Sequence, residues 1–286
     1  MVILHSNGNY SLQGGKMTDI ALTERQLREK EYYEVYAKSN TPCHDQIDLA
    51  PVNALIKNEG MRPWNSYWAI YEFAWRHFDD GKILLDFGSG PGDNALRLAN
   101  LGYKVEGFDI SDANVEIANN LFKENRASGK FQYSTAESLP YDDASFEIIV
   151  GIDILHHVDI PKAMKECKRV LKFGGKAFFR EPVDAPLFDW LRNTRAVKAV
   201  YPKDVSFENH ITEDERKLNF NDEIIMESTF PNIKKHYYLL FARLDKLYRK
   251  GADPRPSMLE RLDYFLIKRF PFLKKFCGVV IYELSK

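Results

Sequence analysis

The stretch Lys82-Ile83-Leu84-Leu85-Asp86-Phe87-Gly88-Ser89-Gly90-Pro91-Gly92-Asp93-Asn94 decides the fold. A short apolar run closes on an acid, three glycines follow at alternate positions, and a helical pattern begins. This reads as strand, tight loop, helix. Glycine has no Cβ, takes positive φ at no steric cost and lets a ligand approach the backbone closely. The helix start behind it offers N–H groups with no partner inside the helix. Loops of this kind lie at the carboxyl end of a parallel sheet and face a nucleotide-like ligand. The dinucleotide fingerprint is G-x-G-x-x-G. Gly88 and Gly90 fill its first two positions, but Asp93 stands at the third, where a carboxylate repels a pyrophosphate. The loop therefore suits a ligand without phosphates.

Outward from the loop, strands and helices alternate. Lys82 to Phe87 is the first strand and Asp93 to Leu101 the next helix. Tyr103 to Phe108 is the second strand and ends in Asp109, placed so that its carboxylate accepts from the ribose hydroxyls of a bound nucleoside. Ser111 caps a helix reaching about Ala127. Phe131 to Ser134 is the third strand. Ile148 to Ile152, a β-branched run, is the fourth and has the character of a buried parallel strand. It ends in Asp153-Ile154-Leu155-His156-His157, just where a ligand crevice opens. Pro161 opens a helix through Leu171, Lys176 to Phe179 is strand five, and Glu181 follows at the crevice. Lys234 to Phe241 and Gly278 to Leu284 form an antiparallel pair at the sheet edge.

The pattern D-x-G-x-G-x-G at Asp86 to Gly92 resembles motif I of the class I S-adenosylmethionine (SAM) methyltransferases. The resemblance continues through Glu137, Leu139-Pro140, Asp142-Asp143 and Phe146-Glu147, with Glu147 in place of the more frequent Asp. Arg169-Val170-Leu171-Lys172-Phe173-Gly174-Gly175 is similar to the family's R-V-L-K-P-G-G turn, with Phe173 in place of Pro. From about Lys82 to Glu181 the chain looks like the small-molecule group that includes ubiquinone and menaquinone biosynthesis enzymes. That resemblance implies an α/β, Rossmann-like, doubly wound sheet of seven strands in the order 3-2-1-4-5-7-6, with helical cap insertions. It implies SAM as cofactor and S-adenosylhomocysteine as product. Asp86, Gly88, Ser89, Gly90, Gly92 and Asn94 would hold the methionine part. Asp109 and Ile110 would meet the ribose, Ala136 and Glu137 the adenine, and Ile152 completes the cofactor set. The implied reaction is in-line transfer of a methyl group to an O or N atom of a small molecule. Alignment of the reactants contributes about 7–11 kcal/mol to such a step. A base is needed only for a hydroxyl or a protonated amine. His156 and His157 are the candidates, imidazole being suited to neutral pH, and Glu181 and His210 are second choices.

Before the first strand, Thr23-x-x-Gln26 is a capping box that opens a helix through Lys38. Its Tyr32, Tyr33 and Tyr36 share about one face. By the resemblance they line the substrate pocket; by composition they equally suit packing on the sheet. Pro42 and Pro51 mark a loop, and Trp64 to Phe78 is aromatic and helical. The expected division is a disordered tail over 1–21, a helical lid over 22–80, the core over 81–182, a pocket cap containing His210 over 183–232, and an edge hairpin with a helical insertion over 233–286.

Composition excludes several classes. The 286 residues have a net charge of −1, which gives no pull toward nucleic acid. Three scattered cysteines make neither a disulfide framework nor a zinc site, so no metal is expected and a reducing cytoplasm is. No run reaches the roughly 18 apolar residues of a membrane span. A small-molecule acceptor is the expected partner. The insertion over 242–277 mixes Phe265, Phe270 and Phe272 with Lys268, Arg269, Lys274 and Lys275. It fits either a helix packed on the body or a basic amphipathic helix at a membrane surface, which would bring a lipid-linked acceptor. An NAD-dependent oxidoreductase shares Asp109 but conflicts with Asp93. A SAM-binding protein without turnover shares every binding motif.

Overall fold

The computed structural model describes residues 10–13, 16–19, 22–39, 47–79, 81–185, 194, 216–247 and 256–286. Its centre is a seven-stranded sheet. The strands are β3 (Ile83–Phe87), β4 (Lys104–Asp109), β5 (Gly129–Tyr133), β6 (Phe146–Ile152), β7 (Leu171–Pro182), β8 (Asn232–Tyr238) and β9 (Val279–Ser285). They lie in the order β5-β4-β3-β6-β7-β9-β8, which is the expected 3-2-1-4-5-7-6. The first five are parallel; β9 runs antiparallel to both β7 and β8.

Side chains alternate across the sheet because successive residues of a strand point to opposite faces. Leu84, Val105 and Ile148 enter one buried cluster, with Trp68, Ala95 and Leu121 from the helices α3 (Ser66–Trp75), α4 (Asp93–Asn100) and α5 (Asp112–Glu124). Leu85 and Ile149 enter the other, with Met164 and Cys167 of α6 (Ile160–Val170) and Met226 and Phe230 at α7 (Phe220–Thr229). Burial on both faces accounts for the continuous apolar runs of β3 and β6.

Three expectations are corrected. The tail over 1–21 contains an antiparallel pair, β1 (Tyr10–Gln13) with β2 (Lys16–Asp19). Pro51 does not mark a loop. It occupies the first turn of a short helix, α2 (Ala50–Ile56), where a missing N–H costs nothing. Within 183–232, α7 does not cap a pocket: Met226 and Phe230 are fully buried against α6 and the sheet. His210 lies outside the described residues.

Two motif positions have local roles. Glu147 accepts the Ile83 N–H (3.0 Å) and pairs with Lys172, closing the start of β3. Arg169 donates to the carbonyls of Leu139 (3.0 Å) and Tyr141 (2.7 Å) and to Glu166, so the last turn of α6 clamps the segment after β5.

Candidate functional site

A cleft of about 200 Å³ opens at the carboxyl ends of β3, β4 and β6. Its floor is the glycine loop. Gly92 takes φ +89° as the N-cap of α4, and a Cβ there would stand 2.9 Å from the Ala118 Cβ. Gly90 takes φ +50°, and a Cβ on it would meet nothing within 4 Å. The first glycine closes the turn against α5; the second leaves backbone open to a ligand.

Asp109 is held at the mouth of this loop. Its Oδ1 accepts from the Ser111 N–H (2.9 Å) and Asn114 Nδ2 (3.1 Å), and its Oδ2 from the Gly90 N–H (2.9 Å). Burial raises its pKa, while these three bonds pull it back down. Asp86 is buried with an Oδ2 that has no hydrogen-bond partner among the described residues. Burial, then the neighbouring Asp93 and Asp109, lift its pKa well above the ordinary 3.8. Asp93 pairs with Arg97 at 2.8 Å. Its charge is largely offset, so the electrostatic case against a pyrophosphate is weaker than the sequence implied.

The helix α1 (Glu24–Ser39) forms the roof. Gln26, Glu29, Tyr33 and Tyr36 all line the cleft, on one helical face at spacings of three and four. Gln26 closes the Thr23 capping box through its oxygen and donates through Nε2 to Glu137 Oε2 (2.9 Å). Glu137 Oε1 accepts the Asp159 N–H (2.8 Å). Glu34 accepts from Ser111 Oγ and the Ala113 N–H, and Lys30 pairs with Asp112 at 2.5 Å. Polar contacts thus pin the roof to the start of α5 and to the segment after β5.

The two histidines part company. The ring of His157 lines the cleft: Nε2 is 3.2 Å from the Tyr33 hydroxyl and Nδ1 is 3.3 Å from Glu29 Oε2. His156 turns away, its Nδ1 2.7 Å from Glu181 Oε2, and both side chains are buried. Glu181 Oε1 also accepts the N–H groups of Ile154 (2.9 Å) and Leu155 (2.7 Å). This carboxylate therefore fastens the turn after β6.

Of the sequence candidates, Gly88, Ser89, Gly90, Asn94, Asp109, Ile110, Ala136, Glu137, Ile152, His157, Tyr33 and Tyr36 line the cleft. Asp86, Gly92, Tyr32, His156 and Glu181 are not among the lining residues. Tyr32 instead packs on Tyr33 (ring centroids 5.1 Å) and Tyr36 (6.3 Å). Sequence reading missed Gln26, Glu29, Asn114 and Asp153. The first two were within reach, because they lie two turns and one turn before Tyr33 on the same helical face. Asp153 was not: it follows β6 at φ +55° and is held by the buried Arg180 guanidinium (2.5 Å), a pairing made only by the fold.

Comparison with known proteins agrees with this architecture. Residues 85–179 match the methyltransferase domain family. A ubiquinone biosynthesis O-methyltransferase of Coxiella burnetii is 36% identical over 100 residues, 35% of this chain and 43% of that protein. A demethylmenaquinone methyltransferase of Chlorobaculum tepidum is 36% identical over 102 residues, 35% of this chain and 40% of that protein. The chain thus spans less than half the length of these relatives. A geranyl diphosphate C-methyltransferase from Streptomyces coelicolor has the same fold, with a TM-score of 0.55 at 14% identity, covering 92% of this chain and 98% of that one. Over residues 85–179 the chain is similar to the methyltransferase domains of quinone biosynthesis enzymes, and its fold is that of the class I SAM-dependent methyltransferases.

Proposed function

We propose that this protein transfers a methyl group from SAM to an oxygen or nitrogen of a small molecule, with His157 as general base. The observation behind the cofactor assignment is the pairing of an open glycine with two buried carboxylates. A carboxylate offers about four acceptor sites, and Asp109 has three occupied, which leaves one on Oδ2 for a ribose hydroxyl. The unpartnered Asp86 Oδ2 suits a cationic ammonium. Gly90 gives a ligand close access to the loop. These residues fit SAM, which when bound supplies an already activated methyl group.

The chain's own part is alignment and proton removal. The α1 roof excludes water above the cleft. His157 Nε2 takes the proton of the acceptor, and the Tyr33 hydroxyl marks the position an acceptor hydroxyl occupies. The Glu29 carboxylate, 3.3 Å from Nδ1, stabilises the protonated imidazole by its charge. The similarity to a ubiquinone biosynthesis O-methyltransferase favours oxygen as the accepting atom.

Parallel calorimetric titration with SAM, S-adenosylhomocysteine and NADH is the test. Binding of the first two without NADH is expected, followed by turnover on hydroxylated metabolites or lipids. Binding of NADH alone would sink the assignment, and SAM binding without any turnover on such acceptors would leave only a SAM-binding protein.

A further inference from the structure

The helix α8 (Met258–Arg269) is inside out in its charges. Its inward face is acidic. Asp263 accepts the N–H groups of Leu240 (2.8 Å), Phe241 (2.8 Å) and Ala242 (2.9 Å). Glu260 accepts from Asn65 Nδ2 (2.7 Å) and closes the capping box with Ser257. Ile267 packs beside Leu240 and Cys277. Both acids of this stretch are therefore buried and committed to the body of the protein.

The outward face combines apolar and basic side chains. Met258, Arg261, Leu262, Phe265, Lys268 and Arg269 are exposed and recur at spacings of three and four, so they share one stripe. Met258 is 87% exposed and Phe265 64%. Past the helix, the 3-10 turn Pro271–Phe276 exposes Phe272 (65%) beside Lys274 and Lys275. Among the described residues, none of the five cations is paired with a carboxylate. They lie instead over aromatic rings: Arg269 is 5.4 Å from the Phe270 centroid and Lys275 5.0 Å from that of Phe276. Exposed aromatics on an ordinary surface are scattered singly. Here they are contiguous and interleaved with charge of one sign.

The position of this face is set by the strand register. Tyr238 at the end of β8 pairs with Val279 at the start of β9, and Val279 pairs with Pro182 at the end of β7. The insertion between β8 and β9 therefore rises from the same edge of the sheet as the cleft.

We infer that the outward face of α8 and the turn after it dock on an anionic lipid bilayer, with the aromatic and Met side chains entering the headgroup region and the five cations meeting lipid phosphates. The charge is complementary, and the apolar side chains match those that interfacial helices bury. The inference needs nothing from the reaction chemistry. It would bring the cleft edge toward a membrane and so favour an apolar, lipid-borne acceptor.

The experiment is vesicle flotation of the full chain at low and high salt. One set of vesicles is phosphatidylcholine alone, the other phosphatidylcholine mixed with phosphatidylglycerol. The chain should float with the mixed vesicles at low salt, stay behind with phosphatidylcholine, and be released by salt. Lys268→Ala with Arg269→Ala should lower the partition about 25-fold. Phe265→Ser with Phe272→Ser should lower it at least about tenfold. All four side chains are exposed, so thermal unfolding and SAM affinity should stay unchanged in both variants. Absence of flotation, equal flotation with both lipids, or insensitivity to the variants overturns the inference. So does self-association that the Phe265→Ser, Phe272→Ser variant abolishes while vesicles fail to bind, which would give the face to a second copy of the chain.

Discussion

Asp109 does two jobs with one carboxylate: it fixes the glycine loop through the Gly90 N–H and keeps one acceptor site for a ligand. Asp109→Asn preserves shape but turns one acceptor oxygen into a donor that faces the Gly90 N–H, so SAM affinity should fall about 10- to 100-fold in a titration, with a modest drop in thermal stability. Unchanged affinity would rule out the ribose role. At the histidines, adjacent positions should respond in opposite ways. His157→Ala removes the imidazole that lines the cleft, so kcat should drop about 100-fold or more with SAM affinity kept. Glu29→Gln should cost less and shift the pH profile of kcat, because the carboxylate acts through His157. His156→Ala instead strands the buried Glu181 carboxylate, and the loss should appear as about 3–5 kcal/mol in chemical unfolding. Equal kcat losses without destabilisation would show that both histidines serve the reaction.

At the scale of elements, α1 is joined to the core by polar contacts at its rim rather than by a broad apolar face. Lys30–Asp112, the bonds from Glu34 to the start of α5 and the Gln26–Glu137 bond reach across the cleft edge. Such contacts are individually worth about 0.2–1 kcal/mol, so the roof is built to open. Lys30→Ala with Glu34→Ala should raise hydrogen exchange over Glu24–Ser39 and weaken SAM binding severalfold, while the β3 and β6 amides keep their protection. Protection falling everywhere would mean that the roof holds the whole fold together. The sheet was legible because buried parallel strands advertise themselves as apolar runs and the glycine loop fixes where the helix begins. The roof-to-core bonds were not legible, since they join residues more than 70 positions apart and no local period encodes them. Residues 26 and 29 show the boundary of sequence reading: their helical face was visible, their partners were not. Within the 183–232 segment, α7 was misread for a related reason. Charge and irregularity suggested a pocket cap, whereas Met226 and Phe230 are enough to bury α7 on the opposite face of the sheet.

On the scale of the whole molecule, two groups of carboxylates answer pH in opposite ways. Glu147, Glu166, Asp222 and Glu283 have pKa values lowered, although burial alone would raise them, because Lys172, Arg169, Arg216 and Lys176 respectively bond to them. A lowered folded pKa contributes stability above the unfolded value, and that stability is lost as pH falls through the folded pKa. Asp86 and Asp109 are raised by burial, so their contribution is full below about 3.8 and is lost as pH rises through the raised values. Asp86 then stands as a buried charge whose Oδ2 has no hydrogen-bond partner among the described residues. A ligand ammonium beside Asp86 stabilises the ionised carboxylate and reverses that loss. The thermal midpoint of the SAM-saturated protein should therefore exceed that of the free protein by a margin that widens as pH rises through the raised Asp86 pKa. Taking the difference between bound and free protein cancels the four paired carboxylates, which titrate alike in both. In Asp86→Asn the margin should be smaller and much flatter with pH, the remaining slope coming from Asp109. A margin that is flat in the unaltered protein, or equally steep in Asp86→Asn, would show that the ligand's cation binds somewhere other than this carboxylate.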